Sequence, residues 1–325
     1  ARAAEARDGI RRVFQINAED VRREVPEYGI FVDDQVARLG RSHPMVRSQF
    51  FSEEIDFGGG LFNPSRLGLM HGAHAAIETP APGKRYAFLI DLAGEDESMR
   101  QGGAEVVLDN PGRDLTAVTI VELDFSLLGE DLVGKPIYKV VHRQLWQGEK
   151  HSTLYARLLS LAEVWQPEKI VVDASGVGAG VGSFLRDKLG ERVIALQFTR
   201  QLKSRLGWGF LAVVDTGRFQ DFNPCGDPEK WQMNPLLACV ASEQDRLQAL
   251  FYRQLAGLQA EVSPGPERYL RWSVPEGARD PEGGLLHDDL ALSAAMCAVL
   301  DEQSWHLSAQ FALIPASDPI LEMDG

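Results

Sequence analysis

The sequence predicts an α/β fold: a mixed sheet flanked by helices, preceded by a helical or linker extension. Three observations lead there. Three apolar, strand-like runs follow one another from Arg85, helical and strand-like stretches alternate after them, and residues 1 to about 80 have a different texture rich in Arg, Glu and Asp. Sequential strands followed by alternating helix and strand put an antiparallel meander and parallel strands into one sheet.

The elements follow in order. Helical patches are expected over Ala18 to Val25 and Asp33 to Leu39, then the glycine run Gly58-Gly59-Gly60, the turn residues Asn63-Pro64-Ser65 and the Pro-rich stretch Pro80 to Pro82. Tyr86-Ala-Phe-Leu-Ile-Asp91 is an apolar run ending in a carboxylate; Asp114 to Glu122 is rich in β-branched residues, and Ile137 to Trp146 alternates less cleanly. Residues 93–113, rich in Gly and acidic groups, separate the first two strands as a long loop.

Leu154, Leu158, Leu159, Leu161 and Ala162 mark a helix over Ser152 to Trp165, with Ser152 or Thr153 as N-cap and Pro167 as the stop. Ile170-Val-Val-Asp173 is a buried-type strand, Gly180 to Leu189 a helix closed by Gly190, and Val193 to Phe198 another strand. A helix opens around Lys203, and a further one is expected over Leu236 to Leu258. Tyr269 to Val274 forms a late strand, and Asp289 to Leu300 a final helix apolar nearly all round, which belongs in the core. These spans divide the chain into 1–80, 81–303 and a tail at 304–325.

Composition narrows the function classes. The chain has 325 residues, 44% of them hydrophobic, enough for one large core. No apolar run approaches the roughly 20 residues of a membrane-spanning helix, and the charged stretch Ala1 to Arg12 does not read as a secretory signal. Cys225, Cys239 and Cys297 are widely spaced and suggest reduced core thiols rather than a disulfide framework or a zinc site. A formal charge of −14 argues against a passive nucleic-acid coat, which needs Lys and Arg to neutralise phosphate. A nuclease partly escapes that objection, because its carboxylates are acidic by necessity and divalent cations supply the positive charge. Trp146, Trp165, Trp208, Trp231 and Trp272 are scattered in the manner of core residues and offer no stacking platform for single strands.

The acidic residues fall at informative places. Asp91 ends the first strand, Asp173 ends the fourth, and Asp288 with Asp289 opens the last helix. Carboxylates at adjacent strand ends can converge in a crevice, and a helix N-terminus can bring a third. Taken singly, each is an ordinary turn residue or helix cap. Gathered together, they would repel one another unless hard cations bound them.

The motifs around these residues resemble the nuclease domain of the large terminase subunit of tailed bacteriophages, which is RNase H-like. The resemblance runs through Leu89-Ile-Asp91-Leu-Ala-Gly94, Val171-Val-Asp173-Ala-Ser-Gly176-Val-Gly178, Lys203-Ser-Arg-Leu206 and His287-Asp288-Asp289-Leu290-Ala-Leu, and covers nearly all of 85–303. Ser48-Gln-Phe-Phe-Ser-Glu-Glu54 is similar to the stretch joining motor and nuclease in that family. The resemblance implies an RNase H-like fold in which two Mg2+ or Mn2+ ions, held by Asp91, Asp173 and Asp288 and/or Asp289, hydrolyse double-stranded DNA during genome packaging. It makes His287 a candidate for orienting a carboxylate or phosphate and Lys203, Arg205 and Arg200 candidates for holding DNA. The implied partners are the small terminase subunit, the portal protein and a packaging ATPase domain, in the bacterial cytoplasm and transiently at the procapsid portal. The chain departs from full-length members in having no G-x-x-x-x-G-K-[ST] loop, and its 93–113 loop is longer than the family's turn.

Three other readings compete. Gly176-Val-Gly178-Ala-Gly180-Val-Gly182 follows a strand and precedes a helix, but its spacing is not that of a dinucleotide loop, and a tight turn explains it. The same carboxylates would serve a resolvase or integrase. A non-catalytic module that docks on a portal could retain the fold.

Overall fold

The computed structural model describes residue 7 and residues 16–41, 44–53, 60–92, 115–126, 135–224, 242–263, 269–280 and 283–305. In chain order the helices are α1 (Ala18–Arg22), α2 (Pro26–Leu39), α3 (Pro44–Gln49) and α4 (Pro64–Leu69). The strands β1 (Tyr86–Asp91), β2 (Leu115–Asp124) and β3 (Ile137–Gln147) lead to α5 (His151–Trp165), β4 (Lys169–Asp173), α6 (Ala179–Leu189) and β5 (Val193–Leu196). Next come α7 (Arg200–Asp215), β6 (Phe219–Gln220), α8 (Glu243–Gly257), β7 (Gln259–Val262), β8 (Leu270–Ser273), α9 (Asp289–Ala295) and α10 (Cys297–Leu300).

Six strands form one mixed sheet in the order β5-β4-β1-β2-β3-β6. β1, β2 and β3 make the expected antiparallel meander, while β4 pairs parallel to β1 and β5 parallel to β4. The helix-flanked mixed sheet expected of an RNase H-like domain is therefore present. β1 lies at its centre and all six residues are buried, as a strand covered on both faces requires.

The side-chain alternation of β1 sorts the core into two layers. Phe88 and Ile90 join Val172 and pack with Leu154 and Leu158 of α5 and Val181 and Leu185 of α6. Ala87 and Leu89 join Val171 on the other face and pack with Leu206 and Phe210 of α7, Phe251 and Leu255 of α8, and Leu290 and Ala294 of α9. α9 is buried along its whole length, as its apolar circumference foretold.

Several boundaries differ from expectation. The Asp33 to Leu39 patch is the second half of α2, which begins at Pro26 because a proline is well suited to the first turn. α5 starts one residue ahead of the expected Ser152 cap and ends in left-handed Gln166, just before Pro167. Val193 to Phe198 pairs only as far as Leu196, and the final helix breaks at Met296 into α9 and α10. β6, two residues beside β3, has too little sequence to carry a period. The expected helix from Leu236 is seen as α8 from Glu243, opened by a Ser242/Asp245 capping box. Residues 236–241, the loop 93–113, Gly58 and Gly59 of the glycine run, Cys225, Cys239 and Trp231 lie outside the described residues.

Of the N-terminal helices, α2, α3 and α4 lie against α7. Val46 of α3 packs on Ala212, and Arg66 of α4 forms a two-pronged ion pair with Asp215, its Nε and Nη2 lying 2.7 and 3.0 Å from the two carboxylate oxygens. Leu61, Phe62 and Met70 enter the α7 side of the core. Beneath them Arg143 and Asp221, both with fully buried side chains, pair through two 2.9 Å hydrogen bonds. Among the described residues no helix is long and apolar enough to cross a membrane.

Candidate functional site

Register brings the two strand-end carboxylates together. Ile90 of β1 lies beside Val172 of β4, so Asp91 and Asp173, one residue further along parallel strands, stand side by side. Asp91 is in phase with Leu89, and Asp173 with Val171. Both therefore project to the face covered by α7 and α9. α9 begins at Asp289 on that face, with Asp288 as its cap residue, and α7 carries Lys203 in its first turn.

α9 is anchored by polar contacts that no sequence period would reveal. Ser293 Oγ donates to the Leu89 carbonyl at 2.8 Å and lies 2.9 Å from Thr119 Oγ1, all within the core. Four residues earlier on the same helical face, Asp289 Oδ1 accepts from the Leu115 N–H at 3.3 Å. The helix is thus tied to β1 two residues before Asp91 and to the start of β2. Ser293, Thr119 and Leu115 were absent from the sequence-derived candidates; the only signal was a Ser inside an otherwise apolar helix.

The electrostatics follow from burial. Asp91 is 7% exposed, and loss of hydration pushes its carboxyl well above the usual carboxylate range. The charges of Asp289, Asp173 and Asp288 push it further in that order, and Lys203 pulls it back. Asp173 is also raised by burial, and its shift is moderated by the hydroxyl and N–H of Ser175 and by Lys203. The Ser175 N–H donates to Asp173 Oδ1 at 2.8 Å.

Among the described residues Lys203 is the cation that faces this cluster: its Nζ lies 3.6 Å from Asp288 Oδ2, a buried oxygen that accepts no hydrogen bond from them. His287, immediately before Asp288, is half-buried. The other basic candidates lie elsewhere on α7. Arg200 donates to Ser263 Oγ at 2.8 Å and sits over the Tyr269 ring, while Arg205 faces Glu302 at 3.5 Å. Two positions along a helix turn the side chain by about 200°, so Arg205 points away from the face that Lys203 occupies.

The donor set suits hard divalent cations. It consists of carboxylate oxygens, it is under like-charge repulsion, and among the described residues its buried Asp288 Oδ2 accepts no hydrogen bond. Among the described residues no three His, Cys, Asp or Glu side chains form a ready-made metal cage. The repulsion at Asp91 and this openness are compatible, because Coulomb interaction reaches well beyond the 2.0–2.6 Å or so of a metal–oxygen bond.

No protein-family model matches the chain, and no curated protein matches it. Among solved structures it is similar to the large terminase nuclease of thermophilic phage G20c with bound magnesium, at 15% identity and a TM-score of 0.46, covering 74% of this chain and 96% of that one. The cobalt-bound structure of that nuclease gives the same identity, score and coverage. The nuclease domain of the large terminase subunit gp2 of bacterial virus Sf6 is similar at 13% identity and a TM-score of 0.40, covering 73% of this chain and 97% of that one.

Proposed function

We propose that the chain is a divalent-metal-dependent endonuclease domain that cleaves double-stranded DNA during viral genome packaging. The observation carrying this reading is the buried Asp91 carboxyl, bordered by Asp289, Asp173 and Asp288 and faced by Lys203. Such a cluster is costly for a fold to maintain without cations, and the motif order around it is that of the terminase nuclease resemblance.

Asp91, Asp173 and the Asp288/Asp289 pair would hold two Mg2+ or Mn2+ ions, which when bound supply positive charge at a scissile phosphodiester and acidify water. Asp91 and Asp173 are the rigid part of the set, because the central strands fix both backbones. Asp289 is held through Oδ1 by the Leu115 N–H, whereas Asp288 Oδ2 accepts no hydrogen bond among the described residues and faces the Lys203 ammonium at 3.6 Å. Lys203 balances part of the negative charge and orients Asp288. His287, next to Asp288 in sequence, would orient that carboxylate or a phosphate, and Arg200 and Arg205 would contact DNA backbone away from the cluster.

The described residues offer no evident base-reading element, so selectivity would come from partners: the small terminase subunit, the portal and a packaging ATPase domain. The setting is then the host cytoplasm, with transient attachment to the procapsid portal. Supercoiled plasmid incubated with Mn2+ or Mg2+ tests the reading. Cleavage by the wild-type chain is expected, with loss of at least about a hundredfold in Asp173→Ala, the scale seen when a catalytic contact is removed. Absence of cleavage with either metal would leave the non-catalytic docking module as the better account.

A further inference from the structure

Trp272 belongs to β8, which among the described residues pairs with β7 alone in a two-stranded sheet separate from the main one. It is joined instead to the first turns of α7. The Leu270 N–H donates to Ser204 Oγ at 2.9 Å, and the Trp272 indole N–H donates to the Lys203 carbonyl at 2.8 Å. The indole ring also reaches the other end of the same residue, its centroid 5.5 Å from Lys203 Nζ.

We propose that Trp272 is a positioning residue that holds the Lys203 ammonium against the carboxylate cluster, an inference that rests on the nuclease reading of that cluster. Lysine carries its charge on a flexible four-carbon stem, so an ammonium needed at one point must be held there. Here the indole N–H binds the backbone carbonyl of Lys203, and the ammonium of the same residue lies 5.5 Å from the ring centroid and 3.6 Å from Asp288 Oδ2. A cation within about 6 Å of a Trp centroid is attracted by the ring quadrupole.

Gly207 makes the arrangement possible. A Cβ at this position would lie 2.4 Å from Trp272 Nε1 and 2.9 Å from Leu270 Cδ2. Only glycine leaves the indole room to reach the helix backbone one turn below. A Trp serving as packing alone needs a partner for its N–H, but that partner need not be the residue whose charge its ring also faces.

The test compares full-length wild type, Trp272→Phe, Lys203→Ala and the double variant in Mn2+-dependent plasmid cleavage. Trp272→Phe keeps an aromatic ring, though a smaller one, and loses the N–H; we expect kcat to fall about tenfold with KM for DNA little changed, as for a weakened transition-state contact. In the Lys203→Ala background the same substitution should cost nothing more. Equal losses in both backgrounds, or a rise in KM alone, would overturn the proposal. If Trp272→Phe fails to fold, Gly207→Ala displaces the indole while keeping every side chain of the contact, and the same comparison applies.

A second measurement is independent of cleavage. With lysines carrying 13C-methyl labels, the Lys203 signal should lie upfield of the exposed lysines through the ring current of Trp272 and move back toward them in Trp272→Leu. A Lys203 signal among the exposed lysines in wild type would overturn the positioning role. If the wild type cuts no DNA with any metal, the nuclease reading fails, and this signal alone decides whether Trp272 holds Lys203.

Discussion

Replacing Asp91 by Asn should stabilise the metal-free protein and weaken the metal-loaded one. Asn has nearly the same shape and carries no charge, so it removes a buried ion without opening a cavity. Two unit charges 4 Å apart interact by about 4 kcal/mol at an effective dielectric of 20. Asp91 is repelled by three carboxylates and relieved by one lysine. Each unit by which the folded pKa is raised costs about 1.4 kcal/mol once the carboxyl must ionise, so Asn, which never ionises, should gain on the order of 1–2 kcal/mol or more at pH 8.

The sign with pH follows from linkage. Asp91 is raised above its unfolded value of 3.8, so the folded state binds the proton more tightly. The stability this group contributes is complete below the unfolded pKa and is lost as pH rises through the higher folded one. Wild type and Asp91→Asn should therefore have equal stability near pH 4 and diverge towards pH 8. Urea unfolding in EDTA, followed by tryptophan fluorescence at both pH values, measures the difference. Added Mn2+ at about a hundredfold excess over Kd should stabilise wild type by about 2.7 kcal/mol and Asp91→Asn by much less. A lower urea midpoint for Asp91→Asn than for wild type in EDTA at pH 8 would refute the reasoning.

Other perturbations probe the framework of the site. Asp221→Ala leaves the fully buried Arg143 guanidinium without its carboxylate and should cost about 3–5 kcal/mol in urea unfolding, whereas Arg143→Met combined with Asp221→Leu should recover most of that loss. Ser293→Ala strips the Leu89 carbonyl of its hydroxyl donor and the Thr119 hydroxyl of its partner inside the core; a loss of about 1–3 kcal/mol is expected, with a fall in cleavage from the loosened α9. Gly182→Ala would set a Cβ 2.8 Å from Ala174 Cβ and should lower the melting temperature by the equivalent of about 1–3 kcal/mol, leaving cation affinity measured by calorimetry little altered.

Particular residues show what was legible at each level. The apolar run ending in Asp91, the shorter one ending in Asp173 and the apolar helix opened by Asp288 and Asp289 gave both the strand-meander-then-alternation fold and the positions of the carboxylates. Hydrophobic period and punctuation by Gly and Pro are local properties, and local properties survive in a single sequence. Shorter or interrupted elements were hidden: β6 has two residues, and β7 emerges only through its pairing with β8. The Arg200, Lys203 and Arg205 group could be found by charge, but its division could not. Helix rotation sends Lys203 toward Asp288 and Arg205 toward Glu302.

By itself, then, the sequence determined an α/β chain with a mixed helix-flanked sheet and carboxylates at the ends of two strands and the head of one helix. Only the tertiary structure decided that Ile90 pairs with Val172, so that Asp91 and Asp173 stand together. It also decided that Ser293 ties α9 to β1 and that Trp272 meets both ends of Lys203. The physical reason is separation along the chain. Strand ends are set by nearby residues, but register, helix docking and the partner of a buried hydroxyl or indole are contacts between segments tens to hundreds of residues apart, and they exist only once the core has packed.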